Sequence, residues 1–270
     1  MLAIGKTVAV TGGGNGIGRE LVLGLLKRGA RVAALDMSEA GLADTVRLAG
    51  DDGGRVSTHV VNITDRPAVH ALPEAIVTAH GQIDGLINCA GIIQPFVLFN
   101  DLDYEAIERV MNVNFWGTVH TCKAFLPYLL ERPSAHIVNV SSVGGYLPVP
   151  GQTMYGASKA AVMLMTEGLH SELAATNVAV TVAFPGATAT SISVNSGVTT
   201  AAQAEAQKGT SKIKMTEPDA AARLILEGME RDAYRVFAGS DAAMMDRLSR
   251  LAPEKAANLI YKQMRSILPT

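Results

Sequence analysis

The chain has 270 residues, 48% hydrophobic and 18% charged, with a formal net charge of −2. That balance excludes an intrinsically disordered chain, and with no Lys/Arg cluster it leaves no electrostatic footprint for nucleic acid. Cys89 and Cys122 make neither a disulfide framework nor a metal-ligand spacing, and the six histidines are scattered, so no metal site is expected and a reducing, cytoplasmic location fits.

Met1-Leu-Ala-Ile-Gly-Lys6 runs straight into a strand-like segment without a signal-peptide core, and no apolar run is long enough for an integral membrane segment. Thr7-Val-Ala-Val-Thr11 is an apolar, β-branched run that predicts the first strand. Gly12-Gly-Gly leads into a helix over 16–29, with Ile17, Leu21, Leu25 and Leu26 on one face and Gly29 as its stop. Arg31-Val-Ala-Ala-Leu-Asp36 is the second strand, which closes a βαβ unit. Further strands are expected at 55–61, 84–88, 137–140, 178–183 and 235–238. Helices are expected over 67–80, 104–130 and 153–175, with another opening at Thr216-Glu-Pro-Asp219. This alternation predicts an α/β fold: a doubly wound, mostly parallel sheet of about seven strands, helices on both faces, in one Rossmann-type domain over 1–270. Such a sheet binds ligands at the carboxyl ends of its strands.

Two segments differ in character. Residues 187–215 are rich in Ala, Thr and Ser and too long for an ordinary connection, which predicts a mobile substrate lid. Residues 240–270 form an amphipathic helical tail carrying Met244, Leu248, Leu251, Leu259, Ile260, Met264 and Ile267, split in two by Pro253.

Thr11-Gly12-Gly-Gly-Asn-Gly16-Ile-Gly18 joins the first strand to the first helix, where glycines let main chain approach a pyrophosphate and free N–H groups favour its charge. Gly12, Gly14, Asn15, Gly16, Ile17 and Gly18 are therefore candidate cofactor contacts, with Asp36 and Met37 at the end of the second strand. An Asp36 carboxylate there binds ribose hydroxyls and repels a 2′-phosphate. Gly14, Asn15 and Met37 bring no compensating positive charge, so NAD is expected over NADP; a capping or loop carboxylate is the other reading of Asp36. Tyr155 and Lys159 lie four apart on a helix, so a phenol and an ammonium share one face. A fixed positive charge favours tyrosinate, so the Tyr155 pKa is expected to fall from about 10 and make it a proton donor and acceptor.

These motifs, with Asn88-Cys-Ala-Gly91, Asn114, Ser142 and Pro185-Gly186, come in an order that resembles the short-chain dehydrogenase/reductase family, in its short single-domain branch, from about residue 6 to 238. The resemblance implies that Tyr155 is the general acid/base, that Lys159 lowers its pKa and bonds the nicotinamide ribose, and that Ser142 donates to the substrate oxygen. It also implies that Asn114 holds a water in a proton relay to Lys159. Ser141 and Ser142 face opposite sides of a strand, and the family spacing selects Ser142. Asn88, Ala90 and Gly91 would line the adenosine side, and Pro185, Gly186, Thr188 and Thr190 would wrap the nicotinamide. Asn62-Ile63 stands where the family usually has an Asp meeting the adenine amino group; an Asn oxygen can accept the same bond without charge.

Gln94-Pro-Phe-Val-Leu98 and Gly144-Gly-Tyr-Leu-Pro-Val149 line the expected mouth without a Lys or Arg, Ile192, Val194 and Val198 join them from the lid, and Lys208, Lys212 and Lys214 come late in that lid. The implied reaction is NAD/NADH-linked hydride exchange with a secondary alcohol or ketone on a small hydrophobic substrate, steroid-, terpenoid- or medium-chain-like. The alternatives are an NAD-binding sensor or scaffold without turnover, or a dehydrogenase of lipid-like substrates whose basic tail lies on a membrane surface. By analogy the chain is a homodimer or homotetramer, with Phe125, Leu126, Leu129, Met163 and Met165 serving as interface or as core.

Overall fold

Strand periodicity decides where the core sits. In β1 (Thr7–Thr11) Val8 and Val10 join one apolar cluster and Ala9 the other, because successive side chains leave opposite faces. A computed structural model describes residues 1–200, 202–203, 215–239 and 242–265. It shows seven strands in one parallel sheet: β1, β2 (Arg31–Asp36), β3 (Val56–Val60), β4 (Gly85–Asn88), β5 (Ala135–Val140), β6 (Val178–Pro185) and β7 (Arg235–Ala238). Their order is β3-β2-β1-β4-β5-β6-β7, every neighbouring pair parallel. The order reverses between β1 and β4, which opens the crevice where such sheets bind ligands.

Helices cover both faces. On one, α1 (Gly16–Lys27) packs Leu21, Val22, Leu25 and Leu26 onto the sheet, and α8 (Pro218–Glu230) adds Ile225, Leu226 and Met229. Each such large side chain contributes about 2 kcal/mol on burial. The α1 stop is as expected: Gly29 takes φ +81°, open to glycine at little cost. On the other face lie α3 (Arg66–His80) and α5 (Gly117–Leu130), with Leu72, Ile76, Phe125 and Leu129 in the second core.

The helix expected over 104–130 is not continuous. α4 (Tyr104–Met111) gives way to a π-helical turn at Asn112–Trp116 before α5 begins. That wider turn sits at Asn114, the buried polar residue of the stretch, a common use of π-bulges at functional sites. A helix α2 (Glu39–Ala49), unforeseen in the sequence, follows β2; the Ser38 hydroxyl accepts from the Gly41 N–H at 3.0 Å to start it.

The helix α6 (Thr153–Glu172) follows β5, and α7 (Ile192–Asn195) follows β6. The tail forms α9 (Ala242–Leu251) and α10 (Pro253–Met264), with Pro253 at the break as expected. Part of its apolar side is engaged within the chain: Met245, Ala256 and Ile260 bury against Leu147, while Met244, Leu251 and Leu259 are exposed. No helix among the described residues is long and apolar enough to cross a membrane.

Candidate active site

The first wall of the crevice is main chain. Gly12 adopts φ +74°, and a Cβ on it would meet Ala90 main chain at 3.0 Å. A Cβ on Gly18 would lie 2.0 Å from the Gly12 carbonyl oxygen, so the turn and α1 touch through bare backbone. The Thr11 hydroxyl accepts from the N–H groups of Cys89 (3.0 Å) and Ala90 (3.1 Å), tying β1 to the loop after β4. Asn15 caps α1 by accepting from Gly16 N–H at 2.6 Å. The Asp36 carboxylate is fixed in place, accepting from Gly14 N–H at 3.0 Å and from Ser38 N–H at 2.9 Å, while Met37 beside it is exposed. Arg19 went unnoticed in the sequence. Its guanidinium donates to the Gly14 carbonyl and to Thr45 Oγ1 (3.1 Å), whose hydroxyl donates to Gly13 O, and so braces the turn from below.

Three expected contacts have their side chains elsewhere. Asn88 points into a buried amide network, donating to Asn139 Oδ1 at 2.8 Å and accepting from the Thr121 hydroxyl at 2.7 Å. Its main chain is what remains for a ligand. Asn62 Oδ1 accepts from both the N–H (3.0 Å) and the hydroxyl (2.9 Å) of Thr64, a local turn that competes with an adenine amino group. Ile63 is buried against Gly117 in the second core. Each is a polar or apolar demand of the fold that spacing alone does not reveal.

The second wall is made of side chains. Ser141 and Ser142 do part company: Ser141 is buried and donates to the Lys159 carbonyl at 2.7 Å, while Ser142 faces the Tyr155 ring across Gly144, where a Cβ would lie 3.5 Å from Ser142 Oγ and 3.4 Å from the ring, and it draws the phenol pKa down. Ser142 Oγ also accepts from Gly144 N–H at 3.0 Å. Lys159 is buried, its Nζ donating to the Val140 carbonyl at 2.9 Å. Gly91 stands next to it; a Cβ there would lie 3.1 Å from Nζ and 3.3 Å from Asn114 Oδ1. The Asn114 amide is fully engaged, accepting from Ile92 N–H (2.8 Å) and donating to Ile92 O (2.9 Å) and Ser158 Oγ (2.9 Å). Its main-chain carbonyl accepts from the Thr118 hydroxyl at 2.8 Å.

The electrostatics differ from the expectation. Burial raises the Tyr155 pKa, and the pull downward comes from the Ser142 hydrogen bond. Burial also pushes the Lys159 ammonium down to about 8, and the Cys89 thiol up to about 12, so Cys89 is no nucleophile.

The remaining walls come from later in the chain. Thr188 and Thr216 form a parallel bridge, with Ala189 N–H bonded to Thr216 O at 3.0 Å, so the two ends of the expected lid lie side by side. Ser196 is buried and accepts from Ile93 N–H at 2.9 Å, clipping the start of that segment to the loop after β4. Thr190 reaches the phosphate turn, 3.2 Å from where a Gly16 Cβ would be, and Gly186 N–H bonds Ala238 O at 3.0 Å beside Pro185. Residues 201 and 204–214 of the lid, with Lys208, Lys212 and Lys214, lie outside the described residues, as do 240–241 and 266–270 of the tail. A cavity of about 430 Å³ is lined by the segment after Ser142 and by the first turns of α6, with Tyr146, Leu147, Pro148, Val149, Gln152 and Ala160 among its lining residues and no charged side chain. The tail backs this wall: Tyr146 Oη donates to Ala242 O at 2.8 Å, and Arg235 holds Asp246 (2.8 Å) and Glu167. Among the described residues no cluster of His, Cys, Asp and Glu could hold a metal.

Comparison with known proteins agrees with this architecture. The sequence pattern of the short chain dehydrogenase family matches residues 6–201. SadH of Mycobacterium tuberculosis, named an oxidoreductase, is 35% identical over 269 residues, 98% of this chain and 97% of its own. A short chain dehydrogenase/reductase from Burkholderia phymatum, crystallised with NAD, has a TM-score of 0.85 at 25% identity, over 94% of this chain and 96% of that one. A short chain dehydrogenase from Burkholderia cenocepacia, crystallised with NADP, has a TM-score of 0.80 at 28% identity, over 96% and 99%. With seven parallel strands, helices on both faces and a family pattern spanning most of its length, the chain belongs to the short-chain dehydrogenase/reductase family of oxidoreductases.

Proposed function

We propose that this oxidoreductase uses NAD to exchange a hydride with a secondary alcohol or ketone on an apolar body. The observation that carries the reading is Ser142 facing the Tyr155 phenol at the carboxyl end of β5, with the buried Lys159 one helical turn on. The residues present fit a dinucleotide, since bare backbone at Gly12 and Gly18 admits close approach and Asp36 stands where ribose hydroxyls are met. When bound, the nicotinamide supplies the hydride acceptor for oxidation and the donor for reduction.

Tyr155 gives its proton to the carbonyl oxygen in reduction and takes the hydroxyl proton in oxidation. Ser142 orients that oxygen with a second hydrogen bond, which strengthens as charge develops on it. Lys159 places positive charge below the phenol and opposes the cost of tyrosinate in a buried site. Asn114 fixes the Ile92 main chain, and so holds Gly91 beside the lysine. Thr188 and Thr190 close the nicotinamide side, and the uncharged wall at 146–149 accepts an apolar substrate body. Phe125, Leu129, Leu126 and Met165 belong to the second core, so a homodimer or homotetramer would instead use Trp116 and Leu164, exposed on the π-turn and α6.

Asp36 favours NAD over NADP, although family members crystallise with either. The test is a panel of apolar alcohols and ketones with both cofactors, followed at the nicotinamide absorbance. Activity with NAD on apolar alcohols is expected; a clear NADPH preference overturns the cofactor, and activity confined to sugars or hydroxy acids overturns the substrate class. Tyr155→Phe is expected to lose about 10³-fold in turnover while NADH binds within about twofold of wild type. A wild type that binds NADH without any hydride transfer would make the chain a sensor or scaffold instead.

A further inference from the structure

The helix that carries Tyr155 does not cap itself. Gln152 occupies the N-cap position of α6, yet its side chain makes no cap; its Nε2 turns away to donate to the Gln94 carbonyl at 2.8 Å. The free N–H groups of the first turn, at Met154 and Tyr155, are instead received by Gln94 Oε1 at 2.8 and 3.0 Å, from 60 and 61 residues earlier in the chain. Gln94 Nε2 completes the clasp on Gly151 O at 3.1 Å. Both amides are buried. Gln94 follows directly on the stretch of loop that Thr11, Asn114 and Ser196 hold at Cys89, Ala90, Ile92 and Ile93. The first turn of α6 is thereby referenced to the loop beside Gly91 and Lys159 rather than to its own connection from β5.

We propose that Gln94 is a positioning residue for the Tyr155 phenol, setting the first turn of α6 so that the phenol meets Ser142. This rests on Tyr155 being the acid/base. The ionisable groups around the phenol are Cys89 and, one helical turn on, Lys159. The Ser142 hydrogen bond is what draws the phenol pKa down. A slack first turn weakens that bond, so the alkaline-going limb of the activity profile moves up as kcat falls.

Gln94→Met keeps the volume and removes both amide functions. It should lower kcat at least tenfold, leave the NADH Kd within twofold, and shift the pH limb of kcat upward. Gln94→Glu keeps an acceptor for both N–H groups and should retain more kcat than Gln94→Met at its own optimum, with its limb moved higher still by the added negative charge. A folded Gln94→Met protein with wild-type kcat and an unmoved limb overturns the proposal. If Gln94→Met does not fold, Gln94→Ala, which removes the amide without adding charge or bulk, is measured in its place, and wild-type kcat with an unmoved limb overturns the proposal. If wild type turns over no substrate, the acid/base reading itself fails, and positioning is read from tyrosinate absorbance differenced against Tyr155→Phe in each background. A raised Tyr155 titration in the Gln94 variants then supports the proposal and an unmoved one refutes it.

Discussion

The turn between β1 and α1 presents bare main chain to the crevice, whereas the region around Tyr155 presents side chains that other side chains hold. At Gly12–Gly18 the design is subtraction: a Cβ is missing wherever one would block the backbone. Around Tyr155 it is addition, with the Gln94, Gln152 and Asn114 amides, Ser196 and the Arg235 ion pairs each fixing a loop from a distant part of the chain. Subtractive sites are rigid because there is little to move. Additive sites can be retuned one bond at a time, which suits the half of the cleft that meets substrate.

If that contrast holds, the turn should tolerate nothing and fail as a unit. Gly18→Ala places a methyl 2.0 Å from the Gly12 carbonyl, a clash with backbone that no rotamer relieves. The expected loss is about 3 kcal/mol in stability or more, together with loss of NADH binding. Urea unfolding and a fluorescence titration of NADH check both. A Gly18→Ala protein with wild-type affinity would mean that the turn is pliable and the contrast misplaced.

The substrate half should instead lose function by region. Arg235 lies mostly buried between Glu167 and Asp246, and its guanidinium packs 5.1 Å over the Phe184 ring. Arg235→Met leaves two carboxylates without their shared partner, which costs about 3 kcal/mol. Asp246 anchors α9, so the wall at Tyr146 and Leu147 loosens with it. The expected signature is a higher KM for apolar substrates with an unchanged NADH Kd, measured on folded protein at reduced temperature. Equal damage to both constants would show that the two halves are one unit.

The same contrast explains what could be read before the fold was known. Subtraction leaves a mark in sequence: Gly12, Gly16 and Gly18 after an apolar strand announce a phosphate turn, and Asp36 follows at a fixed distance. Tyr155 and Lys159 were legible because one helical turn separates them. The residue type and position of Gln94 say nothing by themselves, since its partners lie 60 and 61 residues away. The side-chain partners of Asn88 and Ile63 were hidden for the same reason: buried neighbours at Asn139 and Gly117 claim those side chains. α2 leaves a faint mark in sequence, because beyond the Ser38 cap it buries only Leu42 and Thr45 and so shows little apolar periodicity. The π-turn at Asn112–Trp116 had a faint signal, an Asn on an apolar helical stripe whose buried amide must find partners.

The smallest effect expected is also the one with opposite sign. Burial holds the Lys159 pKa at about 8, against an ordinary value of 10.5. Below pH 8 the lysine is protonated in both folded and unfolded chains, and the folded state carries the whole cost of a charge withdrawn from water. Between the two values the unfolded chain still binds the proton and the folded chain does not, so this contribution to stability rises with pH and the cost is gone above them. Lys159→Met keeps the stem and removes the charge. At pH 7 it should stabilise the protein by about 2 kcal/mol, after allowing for the lost bond to the Val140 carbonyl. The gain should shrink as pH rises through the window from 8 to 10.5. Urea unfolding of both proteins at pH 7 and pH 10 measures it, while turnover collapses in the variant. Gly18→Ala would thus lose stability and binding together, and Lys159→Met would gain stability as it loses chemistry. A Lys159→Met protein no more stable than wild type at pH 7 would mean that the Val140 bond fully offsets burial, and that the Tyr155 side of the cleft is held without strain.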